Sequence, residues 1–80
     1  MNATEQAIFD FINKQFEIDG DPDFTPEVNI FDYGFADSMG GMEIIAYVEE
    51  HWGIEITQSD LTLYPMNSVR EIAAVVSSKL

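Results

Sequence analysis

Asp37-Ser38-Met39 is the point where this sequence comes closest to chemistry. Ala36-Asp37-Ser38-Met39-Gly40 approaches the small-x-Ser-x-Gly elbow of serine hydrolases, which needs a strand before the serine, a helix after it and a large α/β sheet around both. The chain is too short for that sheet, and its one histidine, His51, falls near the far end of the same predicted helix. At 1.5 Å rise per residue that histidine is roughly 20 Å from Ser38, so no general base reaches the hydroxyl. Asp19, Asp21 and Asp23 are spaced like the opening of a calcium loop, but Phe24 stands where the loop needs glycine and Ile30 where it needs glutamate. Other carboxylate pairs are too numerous in so acidic a chain to single out an acid–base couple. What remains is Ser38 as a hydroxyl that a separate enzyme modifies. A helix N-terminus, with its free N–H groups and positive dipole, favours a phosphoester there.

The elements that must position it follow from periodicity and caps. Helix one is expected over Thr4–Glu17, capped by an Asn2–Glu5 box or by Thr4, with Ile8, Phe11, Ile12 and Phe16 on its core stripe and Phe9 off it. A long loop follows over 18–36, broken by Gly20, Pro22 and Pro26. Phe24, Val28, Ile30 and Phe31 are expected to pin it to the core, with a short helical turn at Pro26–Asn29. Helix two starts at Asp37 or Ser38, with Asp37 as cap, and stops at Gly53. Gly41, Ile45, Val48 and Trp52 form its expected core face, with Ile44 beside them. Met39, Met42, Glu43, Ala46, Tyr47, Glu49 and Glu50 lie on or near the outer faces, a mixture of apolar groups and acid suited to docking. Ile54-Glu55-Ile56 alternates like a strand but is too short to require one. A short third helix opens near Ser59 and ends before Pro65; a fourth opens on a Ser68–Glu71 capping box and buries Val69, Ile72, Ala73 and Val76. The expected fold is all-α: a small four-helix bundle of three longer helices and one short one, with a long first loop, over a single domain of residues 1–80.

Composition narrows the partners. Fifteen Asp and Glu against three Lys and Arg give a net charge of −12. Phosphate backbones need Lys and Arg, so nucleic acid is excluded as a partner, and an anionic membrane surface repels the chain. No apolar run approaches the ~20 residues of a membrane span, and no secretory signal is visible, so a cytoplasmic monomer is expected. The absence of cysteine excludes disulfides, thiolate metal sites and a thiol nucleophile, and no metal site is expected. The acidity either keeps a small protein soluble or draws it to proteins with basic docking patches.

At these residues the chain resembles the acyl carrier proteins. The family pattern is matched by Asp37-Ser38-Met39, by Glu43-Ile44 and Glu49-Glu50 on the following helix, by Trp52-Gly53-Ile54-Glu55-Ile56, and by Ser68-Val69 opening the last helix. The resemblance implies a carrier that is not itself an enzyme. Ser38 would bear 4′-phosphopantetheine, installed by a phosphopantetheinyl transferase, and the terminal thiol would hold an acyl or aminoacyl group as a thioester. Asp37, Met39, Met42, Glu43, Ala46, Glu49 and Glu50 then match the partner-recognition helix, with Tyr47 on the same outer surface. The partners implied are the transferase, an acyl- or aminoacyl-loading enzyme, and downstream enzymes of fatty-acid, polyketide or related biosynthesis that present basic patches. Gly40 and Gly41 depart from the pattern, which usually has an acid after Asp-Ser-Leu; they are expected to leave room beside Ser38 and to loosen the start of the helix. Ser38-Met39-Gly40 is similar to D-alanyl carriers and stand-alone carriers of specialised pathways. The alternative is a small acidic interaction or inhibitor module with no prosthetic group.

Overall fold

Four helices and no strand make up the computed structural model, which describes residues 1–80. α1 spans Ala3–Gln15, α2 Ser38–Trp52, α3 Gln58–Leu63 and α4 Val69–Ser78. The all-α bundle with one short helix and a long first loop is therefore the observed architecture.

Each helix begins at a side-chain cap. Asn2 accepts the Glu5 N–H, and Glu5 returns the bond to the Asn2 N–H, so α1 opens on a complete capping box. It ends two residues earlier than its periodicity suggests, because Glu17 and Asp19 adopt left-handed backbone angles (φ 53° and 58°). The box expected at Ser68 is only half formed. Ser68 accepts the Glu71 N–H, but the Glu71 carboxylate reaches one residue further back, to the Asn67 N–H. The Asn67 carbonyl in turn accepts the Ile30 N–H at 2.9 Å, tying α4's approach to the first loop. α3 starts earlier than expected, on a reciprocal Thr57–Asp60 box. Ile54-Glu55-Ile56 forms no strand, and Pro26–Asn29 holds only a turn, closed by the Val28 N–H on the Thr25 carbonyl at 3.3 Å.

One continuous core joins Ile8 and Ile12 of α1, Phe24 and Ile30 of the loop, Ile44 and Val48 of α2, Ile56, and five residues of α4. α1 and α4 form the most extensive helix–helix contact, and α4 turns only Val, Ile and Ala side chains inward. The core face of α2 is rotated from the expected one: Gly40, Ile44 and Val48 are buried, whereas Gly41, Ile45 and Trp52 are only partly covered. The reason lies in two aromatic rings, Phe16 at the C-cap of α1 and Phe31 of the loop, which take the space beside the glycines. Phe9, off the predicted stripe, stacks on Phe24 at a centroid distance of 4.3 Å, and Phe24 meets Phe35 edge-on. These rings hold down a loop that has no helix of its own.

α3 buries no residue. It is held by the loop it caps and by Lys79, whose ammonium lies 2.7 Å from Asp60. That ion pair and the Thr57 N–H lower the Asp60 pKa from 3.8 to about 2. A pKa depressed by folding stabilises the fold wherever the carboxylate is ionised in both states. The contribution is present above the ordinary value and is lost as pH falls from 3.8 through about 2. Protection of the Gln58–Leu63 amides, taken against the intrinsic exchange rate at each pH, should therefore fall in that window, and Asp60→Asn should already be less protected at neutral pH with a flatter acid response. An α3 equally protected in both proteins across the window would show that the carboxylate does not anchor it.

Candidate functional site

Ser38 is the first residue of α2 and is exposed. The preceding Asp37 is the cap: its carboxylate accepts the Gly40 N–H at 2.8 Å, and its carbonyl accepts the Gly41 N–H at 2.9 Å. The N–H groups of Ser38 and Met39 keep no intramolecular acceptor and face outward at the positive end of a 15-residue helix. His51 lies one residue before the end of α2, far beyond reach of the hydroxyl.

Ser38 also edges a cavity of about 320 Å³ between α2, α3 and the segment before α4. Phe31, Met42, Ile44, Ile45, Leu61 and Ile72 are among its walls. No Asp, Glu, Lys or Arg lines it. Sequence reasoning did not find this cavity, because it depends on how far α3 and Tyr64–Asn67 stand from α2, which no local pattern encodes. The one signal was the Gly40-Gly41 pair, read as open room. The room is present on one side, where Gly41 lines the cavity together with Ser38, and absent on the other. A Cβ on Gly40 would sit 2.9 Å from the Phe16 ring and 3.1 Å from the Ala36 Cβ. On Gly41 it would meet the Phe31 ring at 3.1 Å. Gly40 is therefore packed under the Phe16 ring, whereas Gly41 lies between the Phe31 ring and the cavity.

The outer face of α2 divides into two kinds of residue. Met39 and Met42 are 73% and 71% exposed, and Asp37, Ala46 and Glu50 are exposed as well. Glu43 is exposed and accepts only the Gln15 amide at 3.3 Å. None of the salt bridges involves α2: Arg70 pairs with Glu5 and Glu27, and Lys79 with Asp60. Its acids are left without a cationic partner from their own chain. Tyr47 and Glu49 have partners inside the fold. The Tyr47 ring stacks on Phe11 at 3.9 Å, and burial, then the charge of Asp10, raises its hydroxyl pKa. The Glu49 carboxylate accepts the Ile56 N–H at 2.8 Å, fixing the chain after α2. Glu49→Ala should thus cost about 1–3 kcal/mol of stability, the penalty for stranding a partly buried donor, whereas Glu50→Ala should stay within ~0.5 kcal/mol. Paired urea melts check this; equal midpoints for the two variants would show that the Glu49 bond carries no weight.

Asp21 and Asp23 of the first loop are engaged locally. Asp21 accepts the Asp23 N–H. Asp23 accepts the Tyr33 hydroxyl, and that bond raises the Tyr33 pKa.

The sequence matches the family described as the phosphopantetheine attachment site over residues 6–76. No curated protein and no solved structure matches the chain. The match covers most of the chain, and the protein belongs to that family. Its members are non-catalytic carriers with 4′-phosphopantetheine covalently attached to a serine. An acidic inhibitor without a prosthetic group accounts for the charge but not for this membership.

Proposed function

We propose that Ser38 bears the 4′-phosphopantetheine and that the chain is a discrete carrier of acyl groups for fatty-acid, polyketide or related biosynthesis. The observation that carries this reading is an exposed hydroxyl on the first residue of α2, beside two N–H groups with no other acceptor, at the rim of an apolar cavity. When bound, the group supplies a flexible arm ending in a thiol that holds cargo as a thioester. The protein's part is to present Ser38 on a rigid helix and to offer the phosphodiester the Ser38 and Met39 N–H groups. In loading, the Ser38 oxygen bonds to the coenzyme A phosphorus, the pyrophosphate P–O bond breaks, adenosine 3′,5′-bisphosphate leaves and the hydroxyl proton passes to the transferase. Tethering then raises the cargo's local concentration at each successive active site.

Acyl cargo is favoured over aminoacyl cargo because the cavity beside Ser38 offers no carboxylate to an ammonium group. Docking falls to the exposed part of α2. Asp37, Glu43 and Glu50 attract basic patches on the transferase, the loading enzyme and downstream enzymes, while Met39, Met42 and Ala46 give apolar contact. Glu49 and Tyr47 lie at the edge of this surface, their side chains committed inward. The carrier acts as a single domain and a monomer in the cytoplasm. Incubation with coenzyme A and a broad-specificity phosphopantetheinyl transferase, followed by mass spectrometry, tests the reading. A gain of one phosphopantetheine per chain is expected, and an unchanged mass with several such transferases overturns it.

A further inference from the structure

Two hollows meet at Phe31, and Ser38 edges one of them. One is the apolar cavity of about 320 Å³ already described; the other is an open groove of about 490 Å³ lined by Phe16, Phe31, Gly34, Phe35, Ala36 and Asp37. Phe31 is the single residue common to both linings. Its ring lies against Gly41, so closely that an added Cβ would approach two of its carbons to 3.1 and 3.2 Å. Its backbone is fixed on both sides: the Phe31 N–H donates to the Asn29 side chain at 3.1 Å, and the Phe31 carbonyl accepts the Gly34 N–H at 3.2 Å. A ring on an anchored backbone, half-buried and with a hollow on each side, is a partition.

We infer that Phe31 is the wall that sets the longest cargo the cavity accepts. The inference rests on the reading of Ser38 as the tether and of the apolar cavity as the seat of its cargo. The capacity follows from volume. An engineered apolar cavity of ~150 Å³ takes one benzene, so about 320 Å³ has room for an aliphatic or aryl-aliphatic group on the order of ten to twelve carbons. Beyond that length the chain must pass Phe31 or return to water. Shortening the side chain at position 31 joins the cavity to the outer groove and gives longer chains further apolar surface to lie against.

The test uses the full chain loaded by the transferase with straight-chain acyl-coenzyme A thioesters of increasing length. Loading is confirmed by mass before each melting temperature is read. In the wild type, Tm should climb with chain length, since ligand burial in the folded state stabilises it, and then stop climbing once the cavity is full. In Phe31→Ala the climb should continue to longer chains. Phe31→Leu should show the same displacement to a smaller extent, and it stands in should the alanine variant fail to fold. A loaded wild type whose Tm ignores chain length, or variants that stop at the wild-type length, overturn the wall. A chain that gains no mass at all overturns the tether reading beneath it, so the two failures are separable.

Discussion

Ser38→Ala should take up no phosphopantetheine, while Ser59→Ala should load like the wild type. Within the matched span of residues 6–76 only Ser38, Ser59 and Ser68 carry a serine hydroxyl. Ser68 is 5% exposed, and its oxygen accepts the Glu71 N–H, so a transferase cannot reach it without unfolding the start of α4. Ser59 is exposed, but on the six-residue α3, where the Asp60 and Thr57 side chains already fill the cap. Ser38 alone joins exposure to the first position of a long helix and to the rim of the apolar cavity. The expected difference is all or none, because the oxygen removed is the atom that forms the new bond. The variant should remain folded: the Ser38 hydroxyl makes no hydrogen bond, and alanine suits a first-turn position, so its stability should lie within ~0.5 kcal/mol of the wild type. Intact-mass measurement with a far-ultraviolet spectrum of each variant checks both halves. A Ser38→Ala protein that still gains the mass would move the attachment point elsewhere.

The helical setting of Ser38 was largely legible in the sequence because the signals around it are local. Asp37 before the serine, Gly53 at φ 64° and the capping pair Asn2–Glu5 each act within a few residues, and each does in the fold what its type suggests. The readings that changed depend on distant chain. The Glu71 carboxylate bypasses Ser68 for the Asn67 N–H, one residue before it. The Asn67 carbonyl is in turn held by the loop at Ile30. α2 turns Gly40 and Ile44 inward in place of Gly41 and Ile45 because Phe16, the C-cap of α1, and Phe31 of the loop press on its first turn. Glu49 and Tyr47 share the outer surface by periodicity, yet Ile56 and Phe11, remote in sequence or on another helix, claim their side chains. Periodicity gives the direction a side chain leaves its helix; it does not say what waits there.

The glycine pair is where these two kinds of information conflict most sharply, and there the second large effect is expected. By helix propensity alone, replacing either glycine with a side chain in the first turn of α2 gains up to about 1 kcal/mol. At Gly40 that gain is overwhelmed. The new Cβ would fall 2.9 Å from Phe16 and 3.1 Å from the Ala36 Cβ, so it is trapped between a ring and backbone-fixed carbon at a buried position. Overpacking of this kind costs about 1–3 kcal/mol. Valine adds two further methyls and recovers little propensity, so Gly40→Val should lose about 2–3 kcal/mol net. For a domain of this size that is a fall in Tm on the order of 10–20 °C. Gly41 faces only the Phe31 ring, at 3.1 and 3.2 Å, and that ring borders open space, so it can retreat by a few tenths of an ångström. Gly41→Ala should therefore be neutral or stabilising, within about 1 kcal/mol. Adjacent glycines then respond with opposite signs, a result that propensity cannot produce. Trimming the opposing ring supplies the control. In a Phe16→Leu background the Gly40→Val loss should shrink, because the two substitutions share one space and cannot add. Thermal melts of the four proteins in that cycle measure the coupling. A purely additive cycle, or equal shifts at the two glycines, would mean that the rings do not dictate these residues.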